Sequence, residues 1–142
     1  IINGIQAMKE RGKAGVGEKT MMDVLIPVSN KLKDINGLLT SQSELRWLNI
    51  SANSLAWFDY AFIPKSLKWL DLHENEIEDL GNYYGLSDGF SLKTLDASKN
   101  KISKLEPLSF PASVEFVFLN SNHITEIKPN TFLEKANLIH VE

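Results

Sequence analysis

An α/β solenoid, with short parallel strands lining a concave face and a helix-loop-helix cap at its N-terminal end, is the fold predicted by three observations. An eleven-residue pattern recurs four times along the 142 residues at near-constant spacing. An asparagine stands at the same place in every copy. Residues 1–33 lack the pattern and instead carry apolar residues at helical spacing.

The copies are LRWLNISANSL (45–55), LKWLDLHENEI (67–77), LKTLDASKNKI (92–102) and VEFVFLNSNHI (114–124), and a truncated fifth begins at Leu138. They share L-x-x-L-x-L-x-x-N-x-L and start 22, 25, 22 and 24 residues apart, the pattern and period of a leucine-rich repeat. Ala97 replaces the third leucine of its copy, and Val114 and Val117 the first two of theirs. Positions 48 and 50, 70 and 72, 95 and 97, and 117 and 119 alternate with outward residues, as in a short strand with one buried face. One repeat cannot bury its own apolar face, so stacking must supply the partner.

Asn53, Asn75, Asn100 and Asn122 fall where the chain leaves each strand. Buried amides in register there predict a ladder that satisfies the backbone of neighbouring turns. The pairs Leu55/Phe58, Ile77/Leu80, Ile102/Leu105 and Ile124/Ile127 should form the convex side of the core, with Phe62, Phe90, Phe110 and Phe132 filling it further. Pro64 and Pro111 precede their repeats by three residues, where a fixed extended φ is tolerated. The long segment GNYYGLSDGF (81–90) predicts a bulge or short helix on the convex side. The chain opens at Ile1 without an initiator methionine and closes just after the fifth copy begins, so both ends are expected to be cuts and the last strand an exposed edge open to self-association.

Outward strand residues define columns on the concave face: Trp47, Trp69, Thr94, Phe116 and His140; then Asn49, Asp71, Asp96, Phe118 and Glu142; then Ser51, His73, Ser98 and Asn120. Of these, Trp47, Trp69, Asp71, His73, Asp96, Phe116, Phe118 and Asn120 are the binding candidates, since exposed aromatics beside acids suit a protein ligand. Stacking between neighbouring strands accounts equally well for the aromatics without any ligand. Asn49-Ile50-Ser51 is a glycosylation sequon, with Asn49 the candidate acceptor. His73, His123 and His140 lack metal-ligand spacing, so no metal and no cofactor is expected, and no catalytic arrangement of serine, histidine and acid can be placed. The net charge of -3, with both signs interspersed, argues against a nucleic-acid surface. No apolar run is long enough to cross a bilayer, and without cysteine there are no disulfides.

Residues 1–33 read as helix, loop, helix: IINGIQAMKERGKA, then AGVGEKT, then TMMDVLIPVSNKLK with a kink at Pro27. Met22, Leu25 and Pro27 also fall at the repeat's apolar positions, so a first strand is the alternative over 22–30. The stretch resembles the nucleotide-binding L subunit of dihydroxyacetone kinases, through Gly4-Ile5, Arg11-Gly12-Lys13-Ala14, Gly17-Glu18-Lys19-Thr20-Met21-Met22-Asp23-Val24 and Pro27-Val28. Glu18 stands where that family has aspartate. The resemblance implies Gly17, Thr20 and Met21 as remnants of a nucleotide loop, but the acidic magnesium-holding loop of the family has no counterpart here, and phosphoryl transfer needs both.

From about Asp34 to Glu142 the chain resembles a leucine-rich-repeat piece of an insect Toll receptor ectodomain, through WFDYAFIPKSLKWLDLHENEIEDLGNYYGL, LKTLDASKNKI and SFPASVEFVFLNSNHITEIKPNTF. That parent would be extracellular or at the cell surface, and the kinase parent cytoplasmic. At the junction, Ser29-Asn30-Lys31-Leu32-Lys33-Asp34-Ile35 also fits the repeat register of Asn100-Lys101-Ile102-Ser103-Lys104-Leu105. The expectation is a soluble, non-enzymatic interaction scaffold, an engineered chimera whose kinase-like helices cap the first repeat. A natural receptor fragment with a protein ligand is the alternative, and residual nucleotide binding by AGVGEKT a third.

Overall fold

The computed structural model describes residues 22–25, 32–35, 37, 39–81 and 89–142. Strands are named in chain order as β1 (Met22–Leu25), β2 (Leu45–Asn49), β3 (Phe58–Asp59), β4 (Trp69–Asp71), β5 (Leu80–Gly81), β6 (Thr94–Asp96), β7 (Lys104–Leu105), β8 (Phe116–Phe118), β9 (Glu126–Ile127) and β10 (His140–Val141). Six of them pair in parallel in the order β1-β2-β4-β6-β8-β10. On the opposite side two small parallel sheets, β3-β5 and β7-β9, tie consecutive repeats together. Among the described residues there is no α-helix, and none therefore that could cross a membrane.

The register repeats the sequence pattern strand by strand. Trp47 pairs with Trp69, then Trp69 with Thr94, then Thr94 with Phe116, and finally Phe116 with His140. The leucines between them face inward: Leu48, Leu70, Leu95 and Val117 are fully buried. So are Leu45, Ile50, Leu55, Leu72, Ile77, Leu92, Ala97, Ile102 and Val114. Each such side chain removed from water contributes roughly 1.5–3 kcal/mol. Ala97 takes its leucine's place without an orphaned polar atom nearby.

The recurring asparagines bond from turn to turn. Asn75 Oδ1 accepts from the Leu55 amide at 3.1 Å, Asn100 Oδ1 from the Ile77 amide at 3.0 Å, and Asn122 Oδ1 from the Ile102 amide at 3.0 Å. Their Nδ2 groups donate backwards, to the carbonyls of Ile50, Leu72 and Ala97 in the preceding repeat at 2.9–3.0 Å. Each amide therefore bridges two turns. The residue before each one, Ala52, Glu74, Lys99 or Ser121, lies in the left-handed region with φ between 52° and 59°. None is glycine, so each turn carries a conformational cost of about 1–2 kcal/mol.

Phe58 and Phe110 lie inside the convex wall, and Phe62 and Phe90 pack partly against it. Phe132 stacks on Phe110 at 5.9 Å, but its own ring is exposed. Asp59 caps the 3-10 turn Tyr60–Phe62 by accepting from the Ala61 amide at 2.7 Å. Tyr60 is buried, and its hydroxyl donates to the Ser109 carbonyl at 2.7 Å, reaching past the whole intervening repeat. Burial and the neighbouring Asp59 push its phenol far above the ordinary tyrosine range.

One expectation is corrected. Met22–Leu25 is not helical but the first concave strand, pairing in parallel with β2. The open amides and carbonyls of Leu45–Asn49 need partners, and an extended segment supplies them where a helix cannot. The remainder of the expected helix-loop-helix cap, and most of the long 81–90 segment, lie outside the described residues. Leu32 and Ile35 are buried, and the Leu32 amide donates to Asn53 Oδ1 at 2.8 Å. The Leu32 amide thus meets Asn53 as the Leu55 amide meets Asn75.

Candidate binding surface

The concave sheet brings its first column together as an aromatic row. Trp47 and Trp69 stack with ring centroids 4.5 Å apart and planes 7° from parallel. Their strands are register partners, so the stacking axis runs across the sheet. Thr94 follows on β6 and Phe116 on β8, both half-buried. Phe118 tilts against His140 at 5.8 Å, and Asn120 is exposed beyond the strand's end.

The second column has a structural task that periodicity does not reveal. Asn49 Oδ1 accepts from the Ser51 amide at 2.9 Å and the Ser51 hydroxyl at 2.6 Å. Asp71 Oδ1 accepts from the His73 amide at 2.9 Å and contacts His73 Nδ1 at 2.6 Å. Asp96 Oδ1 accepts from the Ser98 amide at 3.0 Å and its hydroxyl at 2.5 Å. Each is a side-chain-closed turn ending its strand. Phe118 cannot make one. Aspartate and asparagine perform this task interchangeably, a point that the sequence alone leaves invisible.

Asp71, His73 and Asp96 bring three donor atoms within 4.8 Å of one another, which a divalent cation could bridge in principle. All three are already engaged in the turns just described. Four acids elsewhere have lysine partners: Glu76 with Lys101, Glu106 with Lys104, Glu115 with Lys93 and Glu126 with Lys128, at 2.6–2.9 Å. The last pair holds the Glu126 carboxyl below the usual range through its hydrogen bond to Lys128. The asparagine candidates Asn53, Asn75, Asn100 and Asn122 serve the ladder and are mostly buried, whereas Asn49 is half-exposed on the concave side. Gly17, Thr20 and Met21 lie outside the described residues.

Comparison with known proteins finds two unrelated likenesses. A family described as the DAK2 domain matches residues 1–51, and one described as Leucine Rich Repeat matches residues 91–112. Toll-like receptor 7 of Drosophila melanogaster is 53% identical over 113 residues, 80% of this chain and 8% of the receptor. The chain joins a DAK2-like segment to a Toll-like leucine-rich-repeat segment. Oligodendrocyte-myelin glycoprotein of Homo sapiens is 28% identical over 134 residues, covering 79% of the chain and 30% of that protein. Lumican of Oryctolagus cuniculus is 33% identical over 116 residues, covering 66% and 59%. The leucine-rich-repeat chain thus spans less than two thirds of the length of each of these relatives. The DAK2 and Toll-like matches, at 51 and 113 residues, cannot lie side by side in 142 and must overlap.

Proposed function

We propose that this chain is a non-catalytic protein-interaction scaffold whose working surface is the concave face around Trp47, Trp69, Asp71, His73, Asp96, Phe116, Phe118 and Asn120. The observation that carries this reading is a division of labour along each strand. The inward leucines supply the core and the asparagines supply the ladder, while Trp47, Trp69, Phe116 and Phe118 remain half-exposed, adding little to either. Large aromatics kept partly in water are the side chains that anchor protein interfaces.

The test is to pan a random peptide library against the folded chain and map the binders with a Trp47→Ser/Trp69→Ser/Phe116→Ser/Phe118→Ser variant. Binders that lose affinity on this variant are expected. Binders that hold the variant equally well would place the interaction elsewhere and overturn the reading.

We further infer an engineered chimera, with a DAK2-like segment (1–33) spliced onto a Toll-like solenoid (34–142) and closing its first repeat. The buried, in-register Leu32 and Ile35 support this, as do the two unrelated matches. A genomic reading frame encoding all 142 residues would refute it. The alternative, an ectodomain fragment of a surface receptor that binds a protein ligand, is favoured by the 53% identity and uses the same face. Residual nucleotide binding through Gly17, Thr20 and Met21 predicts heat on titrating ADP with magnesium, and the scaffold reading predicts none. Self-association would run through the β10 edge, where Ile139 is 71% exposed and Leu133 73%. It would appear as a concentration-dependent dimer on sizing.

A further inference from the structure

The concave face has a shape and a charge that together specify a partner more narrowly than the scaffold reading, on which this inference rests. Trp69 stacks on Trp47 along the strand-to-strand direction, so its other ring face is turned toward β6. There the register partner is Thr94, a short side chain, and beyond it Phe116 rises from β8. Two strand spacings separate Trp69 from Phe116, about 9–10 Å. The row Trp69-Thr94-Phe116 therefore sets a short side chain between two aromatic ones, with room above it for a group to stack.

One end of this row is acidic. Asp71 follows Trp69 on the same strand, and Asp96 follows Thr94. The two residues are register partners, with donor oxygens within 4.8 Å. No lysine or arginine occupies any of the three outward columns among the described residues. Four acids outside these columns, Glu76, Glu106, Glu115 and Glu126, are held by lysines; among the described residues Asp71 and Asp96 bond to His73, Ser98 and their own turns, with no lysine or arginine.

This charge is not required by the fold. Asn49, at the same register position on β2, closes the same turn with a neutral amide. Two like charges placed side by side, where asparagine would serve, are a standing cost unless a cation meets them. The group that fits both features is planar, cationic and able to bond carboxylates two at a time while stacking on rings.

We propose that the concave sheet face between Trp69 and Phe116 is a docking site for an arginine side chain presented by a segment of a protein partner. The guanidinium lies over Thr94 between the rings and pairs with Asp71 and Asp96.

Calorimetric titration of the full chain with a short peptide carrying two arginines, in the presence of EDTA, tests this. Its lysine and citrulline counterparts are titrated in parallel. The arginine peptide should bind at least about tenfold more tightly than either counterpart, a difference of about 1.4 kcal/mol. Asp71→Asn/Asp96→Asn should remove that preference, and Asn49 shows that this substitution preserves the turn. Glu76→Gln/Glu126→Gln, with the same net charge, should leave it intact. Thr94→Trp, which fills the room above Thr94, should abolish binding with both acids in place. Equal losses in the two charge-matched double variants would overturn the proposal, as would equal affinity for arginine and lysine or binding that requires a divalent cation. Library-selected binders that still depend on the concave aromatics would then leave the broader scaffold reading standing.

Discussion

Leu105 and Ile127 are register partners on β7 and β9, chemically alike and at the same position of consecutive repeats. Leu105 is 2% exposed and Ile127 is 56% exposed. The side chains are aliphatic isomers of equal size and the local strand and pairing are the same; what differs is the number of neighbouring repeats. Leu105 has one on each side, Ile127 on one side only. The contrast extends to the pairs above them: Ile102 is fully buried, whereas Ile124 is only partly so. A leucine-rich-repeat position has no burial of its own. Its stability is a property of the interface between two repeats.

Equal truncations at the two sites put the largest expected difference on this comparison. Leu105→Ala should cost about 2–4 kcal/mol in chemical denaturation, the ordinary range for a buried leucine. Ile127→Ala should cost less than about 0.5 kcal/mol, since most of its side chain is already wet. Equal costs would break the nearest-neighbour account. Appending one more repeat after Glu142 should raise the Ile127 cost toward that of Leu105, with the same measurement.

The ladder gives a smaller version of the same contrast. Asn100→Ala strips the buried Ile77 amide of its acceptor and three carbonyls of a donor, and should cost about 2–3 kcal/mol. Asn122→Ala disrupts the same pattern where water can reach, and should cost about 1 kcal/mol. Double-mutant cycles of Asn100 with Asn75, which both touch Leu72, should show coupling.

The smallest expected effect is a gain. Lys99 and Glu74 are exposed and sit in the left-handed region. Lys99→Gly or Glu74→Gly should raise stability by about 0.5–1 kcal/mol, the relieved strain less glycine's extra chain entropy. A loss of stability at both sites would mean that their side chains contribute contacts outweighing the strain.

Much of this was legible beforehand, and the reason is physical. Periodicity reports which face is buried, so the strand register, the inward leucines and the outward columns follow directly from the spacing of Leu48, Leu70, Leu95 and Val117. The recurring asparagines declare the ladder because four buried amides in one register need a common partner. Backbone sign is not legible in the same way: Ala52, Glu74, Lys99 and Ser121 share nothing that marks a left-handed turn. Asp71 and Asp96 read as ligand-facing acids, and their turn-closing bonds emerge only from coordinates. Met22–Leu25 reads equally as helix or strand because four residues are too few to fix a period, and the open edge of β2 decides the matter.

Tyr60 has a consequence of a different kind. Its hydroxyl holds the Ser109 carbonyl across a repeat that belongs to neither residue. A solenoid pulled from its C-terminal end would be expected to peel one coil at a time, each step releasing a similar length of chain. Here one step differs. The coil that carries Ser109 cannot leave without stripping the buried Tyr60 hydroxyl, two turns away, of its acceptor, an added cost of about 1–3 kcal/mol at that step. Peeling should therefore show one step that is harder than its neighbours, so that the coils after Ser109 behave as a looser tail on a firmer remainder.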